Sequence, residues 1–460
     1  MVVQVEKYGI RTIAYILGLA LALRLLVAIA VQSLGCQENF YAADTSVYLN
    51  PAKELLLTGR YTSFGLPEIV RPPGYSLLLI PGILLGHVEW ITIILQIVLS
   101  CLTVYIVFKT AQCLFNGPMP ATIAAVFYAV EPLSILYATK LLTETLFTCL
   151  TTVSLYYLVI SIKRPSLKPL LVAACALSAS VYVRAIGYYL PPLTACLLFL
   201  WISSKKRERK PWFLRVVVFL AVSMGLVGLW QVRNSVRAGY SGFSAISSVN
   251  LYFYAGAALL AAQEDVPYYE MQNRMGYRNS EIYFQNHPKQ RLWSAAERYR
   301  YMRKEGIRIL SNHIGAYAAI HLKGMLRTLL DPGAVDYLKV FGLYPESSGL
   351  LGTIVDRGLL RTIVRLSKER PRIFWSNLFM ALLMGVYYLL GGIALSSRFS
   401  RSISTSLWFA TGVYFVTLSG GPQALNRFRH PVMPILSLFA GYGLSLVLKK
   451  VHALRQCHCL

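Results

Sequence analysis

Two residue types at one polar boundary set the chemistry this chain can do. Asp44 lies just after the first hydrophobic stretch, in Ala43-Asp44-Thr45-Ser46-Val47-Tyr48, and Arg71 follows in Arg71-Pro72-Pro73-Gly74-Tyr75. A carboxylate at a partly wet edge can take a proton from a hydroxyl or amine nucleophile. The two prolines disfavour helix in the residue before them and fix where the Arg71 guanidinium points. Its rigid donor fork suits phosphate oxygens. Each residue also has a plainer reading. Asp is a favoured N-cap, and Asp44 precedes Tyr48 and Ala52 at helical spacing. Arg71 could simply anchor in lipid headgroups.

Other charged residues sit at comparable boundaries. Glu144 opens an apolar stretch after Lys140-Leu141-Leu142-Thr143, where it is either a second acid in the cavity or an acid favoured by the start of a helix. Glu131, before Pro132, is a weaker candidate of the same kind, and Lys140 belongs to the same group. Arg184 closes a later apolar stretch, and Arg427 and Arg429 open the last one. Three arginines converging there make an oxyanion clamp; singly, each can snorkel to the interface. Tyr48, Tyr75 and Arg233 complete the candidate cavity. No His or Cys cluster has metal-ligand spacing and no Gly-rich phosphate loop occurs.

The elements that must position these groups are membrane spans. Of 460 residues, 56% are hydrophobic and only 14% charged, with a mean hydropathy of +0.52. A soluble chain carries about 25% charged residues, so the expected fold class is an all-α polytopic membrane protein. About 20 residues cross the hydrocarbon core. Apolar stretches at 9–31, 88–108, 119–137, 142–162, 169–184, 186–203, 212–232, 373–395, 403–420 and 430–448 give ten spans, in an expected range of about 10–13. The stretches 76–86, 313–330 and 348–366 are read as interfacial helices.

The net charge of +25 sits in loops between apolar stretches, which argues for lipid headgroups and topology control and against nucleic acid. Lys163-Arg164, the 205–210 run, Arg398 with Arg401, and Lys449-Lys450 fall on one side, which the positive-inside rule makes cytoplasmic. The opposite side receives 32–87, the turn at 138–141, the region 233–372 and the turn 419–430, and therefore every candidate site residue. An inner-membrane, multi-pass protein with an outward-facing site follows. The chain divides into a catalytic membrane module, 1–232, containing the outer loop 32–87; an outer loop region, 233–372, with amphipathic helices; and C-terminal spans with a cytoplasmic tail, 373–460. In the outer region, Ala296, Tyr299, Met302, Ile307 and Leu310 alternate with basic residues as an amphipathic helix should. The first apolar stretch lacks a small-residue cleavage site and is read as a retained helix. Of eight cysteines only Cys36 falls on the outer side, which leaves no disulfide there. The tail Cys457-His458-Cys459-Leu460 lacks the aliphatic middle of a prenylation box.

Asp44, Tyr48, Ala52, Leu55 and Gly59, then Arg71-Pro72-Pro73-Gly74-Tyr75, resemble the first outer loop of polyprenyl-phosphate-sugar-dependent glycosyltransferases with the GT-C fold. That superfamily includes protein O-mannosyltransferases and lipid A aminoarabinose transferases. Further similarities follow in order: Glu131-Pro132-Leu133 through Thr143-Glu144, Arg184, Trp230-Gln231-Val232-Arg233-Asn234, and Arg427-Phe428-Arg429-His430-Pro431 through Pro434. The resemblance covers the first 250 residues and the last span; 257–372 matches only in general character.

The resemblance implies a GT-C type bundle in which Asp44 is the catalytic aspartate and Arg71 binds the donor phosphate. It implies a second catalytic acid at Glu144, where relatives usually have Asp. Arg184, Arg427 and Arg429 would add positive charge around the phosphate. The implied donor is a sugar on polyprenyl monophosphate, the acceptor a lipid, glycan or protein, and the transfer inverting. No cofactor is required; a divalent metal is compatible with an acid pair but not indicated. Two other classes use the same features: a flippase or transporter of lipid-linked sugars, and a glycan polymerase or ligase. No internal repeat of the transporter kind is seen.

Overall fold

The computed structural model describes residues 2–115, 117–203, 209–344, 367–397 and 402–458. All ten apolar stretches are helical. Among the described residues, seven helices are long and apolar enough to cross a membrane: Ile10–Ser33, Val88–Leu114, Glu144–Lys163, Ala185–Ser203, Lys210–Ala238, Pro371–Ser396 and Asn426–Gln456. Leu167–Val183 and Ile403–Leu418 are apolar but shorter. The expected all-α polytopic bundle is therefore what forms, apart from a two-residue hairpin pairing Thr62–Ser63 with Leu66–Pro67. The interfacial stretch at 348–366 lies outside the described residues, as do Arg398, Arg401 and most of the 205–210 run.

The stretch 119–137 is not one span. It breaks into Pro118–Ala129 and Pro132–Ala138, bent by 53°. Pro132 has no N–H to give to the preceding turn, and the residue before it is pushed out of the helical region. Glu131 is extended (φ −67°, ψ 120°), and its carboxylate accepts from Leu133 N (3.0 Å) and Ser134 N (2.6 Å). It caps the second piece, so it leaves the list of cavity acids.

The break frees the carbonyl of Ala129, and a buried arginine takes it. Arg24, inside the first span and fully buried, donates to Ala129 O and Ala20 O (both 3.0 Å), Ser100 Oγ (2.7 Å) and Ser134 Oγ (3.0 Å). A charge at this depth is costly unless its donors are satisfied. Here the guanidinium joins the first span, the 88–114 span and the broken pair.

The last helix, Met433–His458, packs between Pro371–Ser396 and Pro118–Ala129. Small residues permit the approach. A Cβ on Gly443 would stand 2.0 Å from Leu390 O, and one on Gly441 2.5 Å from Ala124 N. Outside the bundle, Ile246–Val249 passes through a π-helical turn, Asn250–Gly256, into Ala257–Glu264; Tyr268–Arg274, Ser280–Asn286 and Ala295–Asn312 follow. These surround a separate core of Tyr252, Phe253, Met271, Met275, Tyr283, Met302 and Ile309. The expected amphipathic helix is Ala295–Asn312, started by a Ser294–Glu297 capping box. Its apolar face turns inward on this core, whereas Ile307, assigned to that face from the sequence, is exposed.

Close helix packing gives a matched pair of tests. Gly443→Ala should lower stability by about 1–3 kcal/mol or more, the range of overpacked cores. Gly392→Ala, with nothing within 4 Å of the added Cβ, should not. Thermal unfolding of both in detergent checks this; equal midpoints would contradict the packing described.

Candidate functional site

Asp44 is brought to the end of the bundle by its neighbour. Thr45 begins the helix Ser46–Thr58, and its hydroxyl donates to Leu141 O (2.9 Å) while accepting from Ala42 N (2.9 Å). Leu141 N in turn donates to Phe40 O (2.9 Å). The first outer loop is thus laced to the turn that precedes Glu144. Asp44 does not cap the helix; Thr45 occupies the cap position. Among the described residues, both hydrogen-bond partners of the Asp44 carboxylate are arginines.

Arg71 is set from two directions. Glu68 Oε1 accepts from Val70 N (2.6 Å) and Arg71 N (2.9 Å), closing a turn just before the prolines. The start of the outer region then clamps the segment: Ala245 N donates to Ile69 O (2.8 Å), and Ser244 Oγ to Val70 O (2.5 Å). Beyond the prolines, a Cβ on Gly74 would meet Tyr182 O at 2.7 Å, so only glycine lets this helix start lie against the end of Leu167–Val183. The Arg71 guanidinium lies 5.6 Å from the centroid of the Tyr48 ring, a cation–π contact. Tyr48 itself is buried edge-on to Tyr75.

Five side chains then alternate in charge. Arg71 Nη2 donates to Asp44 Oδ1 (3.3 Å), and Arg427 Nη2 to Asp44 Oδ2 (2.8 Å). Arg427 Nε lies 4.0 Å from Glu144 Oε1, to which Arg184 Nη1 donates at 2.7 Å. Positions 44, 71, 144, 184 and 427 form one ladder: Arg71, Asp44, Arg427, Glu144, Arg184. Helix ends supply the deeper members. Glu144 is the first residue of Glu144–Lys163, where the helix dipole favours a negative charge, and Arg184 is the extended residue that ends Leu167–Val183. Arg184 and Arg427 flank the ring of Phe428 at 5.6 and 5.1 Å.

Exposure separates the two acids. The Asp44 side chain keeps 26% of its surface and Glu144 only 1%. A reacting group can reach Asp44; Glu144 is committed to Arg184. Burial alone would push the Asp44 carboxyl up, but Arg427 and Arg71 outweigh it and hold it below its ordinary value.

Arg429 does not join Arg427. The two lie in the 3-10 turn Asn426–Val432, where residues two apart point about 120° from each other. Arg429 Nη1 donates to Thr328 O, Leu329 O and Asp331 O (2.8, 3.0 and 2.8 Å), covering carbonyls at the end of Ile314–Leu330. Expected as a phosphate ligand, it is a buried structural cap. Tyr75 is likewise buried, donating to Gln96 Oε1 (2.9 Å). Arg233 braces the outer loop: it donates to Glu68 O (2.6 Å) and Tyr61 O and stacks 4.6 Å from the Trp230 ring. Lys140 lies half-buried near Arg427 and Asp336, and burial pulls its ammonium below its ordinary value.

Several nearby groups carry no sequence signal. His430 Nδ1 and Thr148 Oγ1 are 2.7 Å apart, and the Tyr137 hydroxyl donates to Asp336 Oδ2 (3.0 Å). From the outer region, Tyr254 comes within the field of Arg71 and Asp44 and shares a hydrogen bond with the Tyr277 hydroxyl. Arg278 stacks 5.3 Å from the Tyr277 ring with a left-handed backbone (φ 62°). Among the described residues no group of three or more His, Cys, Asp or Glu is placed to hold a metal ion.

Residues 70–230 match the family of dolichyl-phosphate-mannose-protein mannosyltransferases. That segment holds Arg71, Glu144 and Arg184; Asp44 and Arg427 lie outside it. The likeness seen in the sequence thus has a family counterpart over this stretch. The fold is similar to the oligosaccharyltransferase AglB from Archaeoglobus fulgidus in complex with an inhibitory peptide and a dolichol-phosphate (14% identity, 95% of this chain and 51% of that one, TM-score 0.48). It is also similar to that enzyme's complex with Zn and sulfate (13% identity, 94% and 49%, TM-score 0.49). A third is ArnT from Cupriavidus metallidurans bound to undecaprenyl phosphate (15% identity, 91% and 77%, TM-score 0.38). The chain spans about half the length of the oligosaccharyltransferase structures. A search of curated proteins finds no match.

The ladder makes a stability prediction. Asp44→Asn leaves two arginines without their shared carboxylate, and should cost about 1–3 kcal/mol, less than the 3–5 of a fully buried pair because Asp44 is partly exposed. Because its folded value is depressed, the stability from Asp44 is complete above its unfolded value of about 3.9 and fades as pH falls through the lower folded one. Thermal unfolding against pH should show wild type losing an acid-labile component that the variant lacks. Parallel curves would mean that Asp44 is not ion-paired.

Proposed function

We propose that this protein is an inverting glycosyltransferase of the GT-C type. It would move a sugar from a polyprenyl-monophosphate donor to an acceptor hydroxyl on the extracytoplasmic face of the membrane. One observation carries the reading: a reachable carboxylate, Asp44, flanked by two guanidiniums, Arg71 and Arg427. The family likeness over 70–230 supports it.

The charge balance fits such a donor. Three guanidiniums and two carboxylates leave the ladder at +1. A lipid-phosphate-sugar is a phosphodiester with one negative charge, so its arrival neutralises the site. Among the described residues, Arg71 and Arg427 each give one side-chain hydrogen bond, to Asp44. A guanidinium has five N–H groups. Most of both forks therefore remains for phosphate oxygens, which they bind in bidentate fashion.

In the reaction, the acceptor oxygen attacks the anomeric carbon from the side opposite the phosphate. The bond from anomeric carbon to phosphate oxygen breaks, its electron pair leaves with the phosphate, and the acceptor proton passes to Asp44. The leaving group gains a negative charge as the bond breaks. Arg71 and Arg427 would therefore bind the transition state more tightly than the ground state, which is how fixed charges accelerate a reaction. A phosphate monoester needs no general acid to leave. Glu144 and Arg184 form the inner support that holds Arg427. The acceptor is a lipid, a glycan or a protein, and the site faces outward in the inner membrane.

The test is sugar transfer by purified protein from a panel of radiolabelled polyprenyl-monophosphate sugars into membrane extract. Wild type should transfer, and Asp44→Asn should lose about 10²–10⁴-fold of the rate, the usual worth of a general base. Arg71→Ala should weaken donor binding. Transfer by Asp44→Asn above a tenth of wild type would remove Asp44 as the base. Absence of wild-type transfer from every donor would favour movement of lipid-linked sugars across the membrane.

A further inference from the structure

The same ladder contains a device for ordering the reaction, an inference that rests on the reading above. In the donor-free site both Asp44 oxygens are occupied, Oδ1 by Arg71 and Oδ2 by Arg427. An acceptor hydroxyl would have to compete with two cations for the base it needs. Yet both arginines and the carboxylate they share are about a quarter exposed, and among the described residues each arginine gives one side-chain hydrogen bond. Arg71 is held by one contact of 3.3 Å. Arg427 is held by one of 2.8 Å, and among the described residues its Nε is buried without a hydrogen-bond partner, 4.0 Å from Glu144 Oε1. An unmet buried donor is costly, so Arg427 gains if an anion arrives with oxygens to spare. Arg184 differs: its Nη1 sits 2.7 Å from a Glu144 carboxylate that is only 1% exposed.

We infer that the donor phosphate draws Arg71 and Arg427 away from Asp44, so that the base is released only when the donor is bound. Arg427 is the positioning residue of this exchange and Glu144 with Arg184 its fixed end. The aromatic faces of Tyr48 and Phe428, 5.6 and 5.1 Å from the two guanidiniums, keep both arginines at the site while their partner changes. A phosphodiester offers two non-bridging oxygens and the departing monoester three, and the monoester carries more charge. The exchange therefore deepens as the glycosidic bond breaks, and Asp44 becomes more basic as the acceptor proton must leave. Without donor, the site holds no free base to activate a hydroxyl or water. The donor accordingly binds first.

The exchange can be read without turnover by infrared difference spectroscopy on purified protein, adding a polyprenyl monophosphate. The Asp44 carboxylate band is assigned by its absence in Asp44→Asn. Binding is followed through the phosphate bands and their loss in Arg71→Ala. The expected result is a shift of the Asp44 band on lipid addition. In lipid-free Arg427→Gln the band should already lie towards the lipid-bound position. Bound lipid phosphate with an unmoved Asp44 band in wild type would overturn the exchange while leaving the transferase reading intact. Failure of the lipid phosphate to bind at all would overturn both.

Discussion

Arg427 between two carboxylates is the contact on which the rest of the site depends. Asp44 comes from the loop after the first span and Glu144 from the start of a span far along the chain; among the described residues only this arginine, at the start of the last span, lies against both. Placing these acids at the edge of the bundle is costly, because removing an ion from water costs several kcal/mol. The alternation of Arg71, Asp44, Arg427, Glu144 and Arg184 offsets that cost by giving each carboxylate two cations. It leaves one positive charge over. On the proposed reading, that surplus is the charge an anionic donor would neutralise.

The scaffold brings these five groups to one end of the bundle by breaking its own helices. Pro132 stops one helix, Arg184 is the extended residue where another stops, and the 3-10 turn at 426–432 delays the start of the last. Each interruption would be costly in hydrocarbon, where free backbone groups need partners. The structure supplies them with side chains: Glu131 and Arg24 at the first break, Arg429 at the carbonyls beside the last. Buried charge is thus divided between backbone repair in the interior and, on the proposed reading, chemistry at the edge. The outer region adds the third wall. Ser244 and Ala245 fix the segment before Arg71, and Tyr254, hydrogen-bonded to Tyr277, comes within the field of Asp44.

Much of this was legible in the residues. Acids are few and lie at the ends of apolar stretches, so Asp44 and Glu144 stand out, and Arg71, Arg184 and Arg427 stand out at matching boundaries. What sequence could not supply was direction. Arg427 and Arg429 look equivalent until a tight turn sends them to different partners, Asp44 for one and backbone carbonyls for the other. Glu131 and Glu144 look alike until Pro132 leaves backbone N–H groups for Glu131 to cap. The helical spacing after Asp44 suggests a cap, but Thr45 takes that position and uses its hydroxyl to reach Leu141. Arg24 is hidden by its setting, since one basic residue in a long apolar stretch looks tolerated and not employed. The outer region gave least, because its tyrosines and arginines are spread along the chain and meet only through folding.

The most direct measurement is an experimental structure of the protein in nanodiscs with a polyprenyl monophosphate bound. Phosphate density is expected between Arg71 and Arg427, within hydrogen-bond reach of both guanidiniums, with Glu144 still paired to Arg184. Phosphate bound elsewhere, with Arg71 and Arg427 still on Asp44, would contradict the proposed exchange.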